Sequence, residues 1–315
     1  MRPSDYRPRF FPPVSPAAGP LRLRIIHNPT AGGARWRRYG AVLERLDRAG
    51  ARIEELATGR RGDAEAYAAA LARDDCDRLV VAGGDGTINE AINGLLANQA
   101  GGRTIPLAIL PLGTANVLAQ EIGLSTRPAA VARMILQGAA RPIALGEANG
   151  RAFTLMAGVG FDAHVVAQVD GRLKKRIGKL AYVWQTLRQL AVYDFPLYRV
   201  TVDGEVFTAA SAVACNAHFY GGRYVLAPDA LLDDPSLEVC LFGRTGRLHA
   251  VKYAAALLLG LLPRLPDYRI VTGRQVSIQG PAEDPIQGDG DILASLPAAI
   301  RVLPDALNLV FPPRR

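Results

Sequence analysis

The sequence predicts two folded domains of different class, an α/β domain with a parallel sheet and helices on both faces, followed by a β-rich antiparallel sandwich. The length of 315 residues is about twice that of a usual domain. The first half alternates short apolar strands with helical segments, a pattern that favours a parallel sheet. From about residue 143 onward, short alternating runs are separated by glycine and acidic turns, which is typical of antiparallel sheets.

The composition divides the chain further. Residues 1–20 are rich in proline and arginine and lack an apolar core, so we expect a disordered N-terminal segment. Residues 21–142 form the predicted α/β domain and residues 143–303 the β-rich domain. Residues 304–315 are a C-terminal tail that we expect to pack back on the first domain.

One glycine-rich turn dominates the first domain. An apolar strand over residues 79–82 ends in a turn of three glycines and one carboxylate: Gly83, Gly84, Asp85 and Gly86. We expect positive φ at the glycines and a helix that begins near Thr87, so that free backbone N–H groups face an anion such as phosphate. A carboxylate in a phosphate site indicates Mg²⁺ between them. The alternative is an ordinary tight turn.

Three further strands of this domain end in turns of the same kind. The strand over residues 21–26 leads to Asn28, and the strand over residues 52–57 leads to Thr58, after which Asp63 is placed to cap a helix. The strand over residues 105–110 leads to the turn 111–116. Because parallel strands end at one edge of a sheet, we expect all four turns to converge there.

In the second domain, seven strands and two helices are predicted. The strands cover residues 153–157, 198–202, 206–215, 237–242, 269–272, 275–279 and 299–303. One helix covers 248–261. The other covers 173–192 and carries basic side chains, which suits either docking on an anionic membrane or a core helix with a solvated face.

Two acidic turns follow in the same domain. Asp289 and Asp291 flank Gly290, so they suit metal binding or proton transfer, although Asp-Gly is also a common hairpin turn. The segment 227–236 suits a cation site or a plain loop.

The charge and the cysteine content indicate which partners the protein binds and which cysteine sites it lacks. Lys+Arg 37 against Asp+Glu 29 gives a net charge of +8, which favours phosphate-bearing partners. Three cysteines without Cys-x-x-Cys spacing predict neither a disulfide framework nor a zinc site, as expected for the cytoplasm. No recognisable nucleic-acid-binding motif is present, so we expect no nucleic-acid partner.

Taken in order, these motifs resemble the diacylglycerol kinase-like lipid kinases, the superfamily that includes sphingosine and ceramide kinases and the bacterial soluble lipid kinases. The resemblance covers residues 21–310. It is carried by the turns at 28–32, 58–64, 83–90 and 111–116, and by the segments 158–163, 173–182, 227–234 and 288–291.

The resemblance implies a phosphofructokinase/NAD-kinase-like α/β domain that binds ATP, and transfer of the ATP γ-phosphoryl group to a lipid hydroxyl of diacylglycerol or sphingoid type. The implied nucleotide contacts are Asn28, Thr58, Gly83, Gly84, Asp85, Gly86, Thr87, Ile88, Asn89, Glu90, Gly113, Thr114 and Asn116. Asp85 would also serve the catalytic Mg²⁺, and Asp289 would accompany Asp291, the proton acceptor. A structural Mg²⁺ would involve Leu231, Asp234 and Ser236.

Three departures from the family pattern leave alternatives open. Asp291 stands in place of the usual glutamate, Val117 in place of a common aspartate, and Pro235-Ser236 in place of a glycine-led turn. The alternatives are an NAD kinase-like enzyme with a soluble substrate, and a catalytically weak lipid- or nucleotide-binding regulator. A lipid substrate at a membrane surface implies a cytoplasmic protein with transient, peripheral membrane contact, for which residues 172–188 are the predicted contact.

Overall fold

A computed structural model describes residues 19–29, 34–98, 105–168, 188 and 190–313 of the chain. It divides into two compact units: Met1–Ala144 with Pro304–Arg315, and Leu145–Leu303. The predicted fold class is confirmed, because an α/β unit with a mostly parallel sheet is followed by an antiparallel β sandwich.

The first unit alternates strands and helices. In chain order these are β1 (Arg22–His27), α1 (Ala34–Arg48), β2 (Arg52–Ala57), α2 (Asp63–Ala69), β3 (Arg78–Gly83), α3 (Asp85–Ala97), β4 (Leu107–Pro111), α4 (Val117–Glu121) and α5 (Pro128–Gln137). The strands lie in the order β2-β1-β3-β4 and pair in parallel. β3 and β4 are buried almost throughout, as expected for central parallel strands covered on both faces.

Helix packing completes the core of this unit. α1 packs against α5, and α2 packs closely against α3. The α2–α3 contact depends on Gly94, because a Cβ atom there would collide with the Glu65 carbonyl oxygen.

The second unit is built from antiparallel strands. They are β5 (Ala139–Ala148), β6 (Arg151–Phe153), β7 (Met156–Val159), β8 (Tyr198–Val202), β9 (Glu205–Ala209), β10 (Ser211–Cys215), β11 (Phe219–Tyr220), β12 (Tyr224–Val225), β13 (Leu237–Phe242), β14 (Tyr268–Gly273), β15 (Gln275–Gln279), β16 (Pro285–Gly288), β17 (Asp291–Ser295) and β18 (Ala298–Phe311). The described helices are α6 (Phe161–Gln168) and α7 (Arg247–Leu258), with a 3₁₀ turn at Leu262–Arg264.

Two sheets form the sandwich. One has six strands in the order β14-β13-β10-β7-β16-β17. In the other, β15 pairs with β18 and β8, and β8 pairs with β9. Alternating burial along β15 shows one face on the core and one in solvent. β5 and β18 each begin in one unit and end in the other. Leu309 lies in the part of β18 that belongs to the first unit, and there it pairs in parallel with Leu107 of β4.

Several local predictions differ from the structure. The strands predicted over 153–157 and 206–215 are each two strands, and α7 ends three residues earlier than expected, at Leu258. α3 begins at Asp85 rather than near Thr87. Asp63 is not the cap of α2, because Gly62 holds that position in left-handed conformation and Asp63 instead accepts the N–H groups of the preceding loop.

Some predictions fall on residues that the structure does not describe. The N-terminal segment 1–20 lies outside the described residues except for its last two. The same holds for residues 30–33 of the first turn and for nearly all of the predicted basic helix 173–192.

Arg78 connects β3 to the end of α5. Its guanidinium donates to the carbonyl oxygens of Met134 (3.2 Å), Ile135 (2.6 Å) and Gly138 (2.9 Å). These carbonyls lie at the C-terminal end of α5 and its cap residue Gly138, where the helix dipole favours a cation; the Met134 carbonyl also accepts the Gly138 N–H (2.8 Å).

We predict that Arg78→Met lowers the free energy of unfolding by ~2–3 kcal/mol, because it leaves three carbonyls at a helix end without their charged donor. Chemical denaturation followed by circular dichroism measures the change. Arg133→Met, at an exposed position of the same helix, is the control and should stay within ~0.5 kcal/mol of the parent. Equal effects of the two substitutions would contradict the assignment.

Candidate active site

The four parallel strands of the first unit end at the same level. His27 of β1 lies opposite Ala57 of β2 and Ala82 of β3, and Gly83 of β3 lies opposite Pro111 of β4. The turns after all four strands therefore start along one edge of the sheet.

After β1, the chain adds β2 on one side of this strand and then β3 and β4 on the other side. The order in which strands are added therefore reverses between β1 and β3. In open parallel sheets, ligands bind beyond the carboxyl ends of the strands at this point. Asn28 follows β1 there, and its N–H donates to the Ala82 carbonyl of β3 (3.1 Å). Thr58 follows β2 and donates its N–H to the His27 carbonyl (2.9 Å). The structure thus brings Asn28, Thr58 and the glycine turn together at one edge.

The glycines of the turn after β3 allow close approach and not positive φ, so the sequence-based expectation of positive φ is wrong. Gly84 has φ −92°, and Gly86 lies inside α3. A Cβ atom on Gly83 would come within 2.7 Å of Thr87 Cβ. A Cβ atom on Gly113 would lie 2.6 Å from Gly84 Cα. The turns after β3 and β4 therefore pack backbone against backbone, and only glycine fits between them.

The turn after β4 is held by Asn116. This residue has φ 49°, and its side chain accepts from the Gly113 N–H (2.7 Å) and donates to the Gly113 carbonyl (2.9 Å). The Leu112 N–H donates to the Gly83 carbonyl (2.8 Å). The two turns thus form one rigid backbone surface.

Asp85 lies at the junction of these turns. Its Oδ1 accepts the Leu118 N–H (3.3 Å), and the N–H groups of Val117 and Asn116 also face the carboxylate. Burial raises the pKa of Asp85, and the backbone N–H groups at the start of α4 oppose that rise. The carboxylate is therefore positioned by the same turn that approaches Gly84.

The start of α3 can bind an anion. The first residues of this helix donate no intrahelical hydrogen bond before Ile88, whose N–H bonds the Gly84 carbonyl (3.1 Å). Ile88 and Asn89 are buried, and the Asn89 side chain accepts from Asn93 (3.1 Å), whereas Glu90 is half-buried. Of the predicted nucleotide contacts on α3, the first-turn residues 85–87 and Glu90 are therefore more accessible than Ile88 and Asn89.

Two arginines of α1 reach this edge, although the sequence did not predict them as site residues. Arg35 donates to the Thr114 hydroxyl (3.1 Å), and Arg38 donates to the Pro111 carbonyl (3.3 Å). Both reach the turn after β4, so a cation stands beside the predicted phosphate edge. The sequence signal was an arginine-rich first turn of the helix that follows Asn28.

In the second unit, the acidic hairpin is a two-residue turn with left-handed residues. Asp289 has φ 52° and Gly290 has φ 87°, and they join β16 to β17. The Asp289 carboxylate accepts the N–H groups of Thr154 (2.7 Å), Leu155 (2.9 Å) and Met156 (3.1 Å). This is why the predicted strand 153–157 is broken, since these amides bond a side chain.

Asp291 has a different setting. It is the first residue of β17 and is half-exposed, opposite Gly288 in the hairpin. Both aspartates are half-buried, and Asp289 holds the turn in place through its three backbone N–H donors.

A polar cluster of Asp162, Tyr220 and Gln287 adjoins this turn, and the sequence did not predict it as part of the site. Asp162 of α6 accepts a hydrogen bond from the Tyr220 hydroxyl, and burial raises its pKa while Tyr220 and Gln287 oppose the rise. Gln287 in turn accepts the Gly290 N–H (3.3 Å). The motif 158–163 contained the signal, but its partners lie far away in sequence.

The segment 231–236 folds as a tight turn. The Asp234 N–H donates to the Leu231 carbonyl (3.0 Å), and the Ser236 hydroxyl donates to Asp234 Oδ1 (2.9 Å). Within the described part of the chain, no cluster of three or more His, Cys, Asp or Glu side chains could hold a metal ion. Burial raises the pKa of nearby Glu238, with further contributions from Asp229 and Asp234.

The residues at the first-unit edge suit a nucleotide phosphate with Mg²⁺. Glycine backbone and the α3 N-terminus suit the anion, and Mg²⁺ in phosphate sites is commonly held by one or two carboxylates together with the phosphates. Asp85 supplies such a carboxylate.

Comparison with known proteins agrees with both units. Residues 22–148 match the family model of the diacylglycerol kinase catalytic domain, and residues 156–311 match that of the YegS C-terminal NAD kinase beta sandwich-like domain. The chain is 30% identical to "Probable lipid kinase YegS-like" of Shewanella frigidimarina over 251 residues, which is 76% of this chain and 78% of the relative. This chain belongs to the diacylglycerol kinase-like lipid kinase family.

Other members of the family extend the match. Diacylglycerol kinase of Bacillus subtilis is 29% identical over 299 residues, covering 92% of this chain and 96% of the relative. The crystal structure of a diacylglycerol kinase from Bacillus anthracis superimposes with a TM-score of 0.76 at 26% identity, covering 93% of this chain and 98% of that one. The protein is therefore a lipid kinase, a phosphotransferase that uses ATP.

For this lipid kinase, we predict that Gly113→Ala weakens ATP binding about tenfold, because the added Cβ must push apart the two turns that shape the phosphate edge. Calorimetric titration with ATP measures the affinity. Gly40→Ala is the control, since a Cβ atom there meets nothing within 4 Å, and its ATP affinity should equal that of the parent. Unchanged affinity of Gly113→Ala would refute the packing argument.

A second prediction separates the two aspartates of the hairpin. Asp289→Asn should lower the free energy of unfolding by ~2–3 kcal/mol, because the NH₂ group that replaces one carboxylate oxygen cannot accept the backbone N–H bonded there, and the negative charge that strengthens the other bonds is lost. Asp291→Asn should lower it by less than Asp289→Asn does, because the N–H groups of Thr154, Leu155 and Met156 all bond Asp289. Urea denaturation of both variants tests this, and a fully stable Asp289→Asn protein would show that the carboxylate is not a structural acceptor.

Proposed function

We propose that this kinase transfers the γ-phosphoryl group of ATP to the hydroxyl of a diacylglycerol or sphingoid-type lipid in a Mg²⁺-dependent reaction. The observation that carries the proposal is the common level at which β1–β4 end, which gathers four polar turns at the reversal point of a parallel sheet. Phosphoryl transfer needs positioning and charge neutralisation above all, and such an edge provides both.

The nucleotide phosphates bind to backbone at this edge. The first-turn N–H groups of α3 and the close-packed backbone of Gly84 and Gly113 suit phosphate oxygens. Arg35, beside Thr114, adds positive charge. The proposed contacts are the set expected from the sequence, Asn28, Thr58, residues 83–90, Gly113, Thr114 and Asn116, with Ile88 and Asn89 acting through backbone or helix packing.

Asp85 is the proposed carboxylate for the catalytic Mg²⁺, and the ion supplies charge neutralisation on the phosphates when it is bound. The protein itself fixes the orientation of the Asp85 carboxylate. The N–H groups at the start of α4 bond the carboxylate and so limit the directions in which it can point.

Asp291 is the proposed proton acceptor from the lipid hydroxyl. Its side chain is half-exposed, whereas Asp289 is engaged by three backbone N–H groups. We assign Asp289 the task of positioning the hairpin and Asp291 the task of accepting the proton. Because aspartate is one methylene shorter than the glutamate common in the family, substrate must approach more closely.

The proposed structural Mg²⁺ site comprises the carbonyls of Leu231 and Ser236 and the Asp234 carboxylate. Its support is the tight turn that brings Leu231, Asp234 and Ser236 together, so that backbone carbonyls would supply most of the ligands. Oxygen ligands of this type suit Mg²⁺.

The decisive measurement is a panel assay with Mg-ATP and diacylglycerol, sphingosine, ceramide, phosphatidylglycerol, undecaprenol and NAD. We expect phosphorylation of a lipid, with diacylglycerol or sphingosine preferred. Asp85→Asn and Asp291→Asn should reduce turnover at least ~10²-fold without unfolding the protein. Asp291→Glu, which restores the family residue, should retain turnover.

Each other outcome has a definite meaning. Phosphorylation of NAD alone would replace the lipid proposal by a soluble-substrate kinase. ATP binding without consumption on any substrate would favour a regulator. Full activity of both asparagine variants would overturn the site assignment while leaving the reaction intact.

A further inference from the structure

Helix α7 exposes an unusually large apolar surface. Leu248 is 86% exposed, Leu259 71%, Leu258 60% and Val251 51%. With Ala255, they recur at helical spacing and fall on one continuous arc of α7 and the residue that follows it. Single exposed leucines need no explanation, but a contiguous apolar patch marks a site of interaction.

The opposite side of α7 is buried in the second unit. Tyr253 and Ala256 face the core, and the Tyr253 ring packs edge-on against Phe242 at 5.0 Å between centroids. The buried side chains of α7 thus lie opposite the exposed ones, which the described structure leaves in contact with solvent.

Hydrogen bonds hold α7 firmly on this unit. The Tyr253 hydroxyl donates to Asp267 Oδ2 (2.9 Å) and accepts the Arg244 N–H (3.1 Å). Lys252 Nζ lies 2.8 and 2.9 Å from the two Asp267 carboxylate oxygens. The exposed leucines are therefore presented by a fixed helix.

The exposed charges around this surface are mainly positive, and the acidic side chain bonded to α7, Asp267, pairs with Lys252. Residues 243–266 contain three arginines and one lysine and no aspartate or glutamate. Arg244, Arg247 and Arg264 are exposed, and the lysine is the one that pairs with Asp267. Leucines flanked by arginines match the chemistry of a bilayer surface, with acyl chains beneath anionic headgroups.

We propose that the leucine face of α7 docks on the surface of an anionic lipid bilayer. The inference rests on the proposed function in one respect, because it supplies the contact that a kinase of membrane lipids needs. It places the membrane contact on α7, whereas the sequence pattern predicts that the basic segment 172–188 makes this contact. None of the described helices is long and apolar enough to span a membrane, so the contact is interfacial.

The test is sedimentation of the full chain with vesicles of phosphatidylcholine containing about one third phosphatidylglycerol, without ATP. Leu248→Ser/Leu259→Ser should weaken binding about tenfold, because both side chains lose their place among acyl chains. Leu197→Ser/Val206→Ser is the matched control, since these residues are 53% and 50% exposed elsewhere in the same unit, and it should bind like the parent.

The double variant Arg244→Gln/Arg264→Gln tests whether the positive charge of these arginines contributes to binding of anionic headgroups. This variant should bind anionic vesicles several-fold more weakly and lose most of the salt dependence of binding, whereas its weak binding to pure phosphatidylcholine should not change. Circular dichroism confirms that each variant is folded.

Three results would overturn the proposal. They are equal binding by the α7 and control variants, no binding by the parent, and conversion of a dimer to a monomer by the leucine substitutions with vesicle binding unchanged. In the last case the face joins two copies of the chain. Because binding is measured without turnover, failure of the kinase assay leaves this test valid. On a water-soluble short-chain diacylglycerol the leucine variant should match the parent.

Discussion

The first unit depends on the in-register pairing of its parallel strands. Because β1, β2, β3 and β4 end at one level, their turns meet without long connecting loops. Close approach of Gly84 and Gly113 then joins two of these turns into one surface, which a single Cβ atom would disrupt. The site is thus a property of backbone geometry more than of any one side chain, as suits a reaction that relies on positioning.

The Gly-Asp-Gly sequence occurs once in each unit at a site of interest, and in both the aspartate binds distant backbone. Asp85 accepts the Leu118 N–H, 33 residues away in sequence, and Asp289 accepts three amides more than 130 residues away. Flanking glycines allow another loop to approach the carboxylate. Each aspartate therefore fixes the geometry of its turn, a role that is compatible with the Mg²⁺ binding proposed for Asp85 and with the proton transfer proposed for Asp291.

A kinase of membrane lipids must meet its substrate at an interface. We propose that the second unit does so through helix α7, which is anchored through Tyr253 and Asp267 and carries exposed leucines among arginines. Rigid attachment matters because a helix that is already folded loses little conformational entropy when it binds the bilayer.

Much of this protein is determined by sequence alone. Apolar periodicity predicts the α/β unit, since strands β1 to β4 lie within two residues of their predicted bounds and a helix follows each of them. Motif order identifies the family, and glycines and aspartates mark the turns that converge. Such features depend on residues close together in the chain.

Only the tertiary structure decided what those residues do. Gly84 of the β3 turn has an ordinary φ, and the constraint on it comes from the close approach of Gly113, about thirty residues later, which no local pattern reveals. The strand predicted over 153–157 is interrupted because Asp289, at the other end of the unit, takes its amides. The arginine contacts to the β4 turn and the exposure of the α7 leucines likewise arise from packing between distant segments, which periodicity within one segment cannot encode.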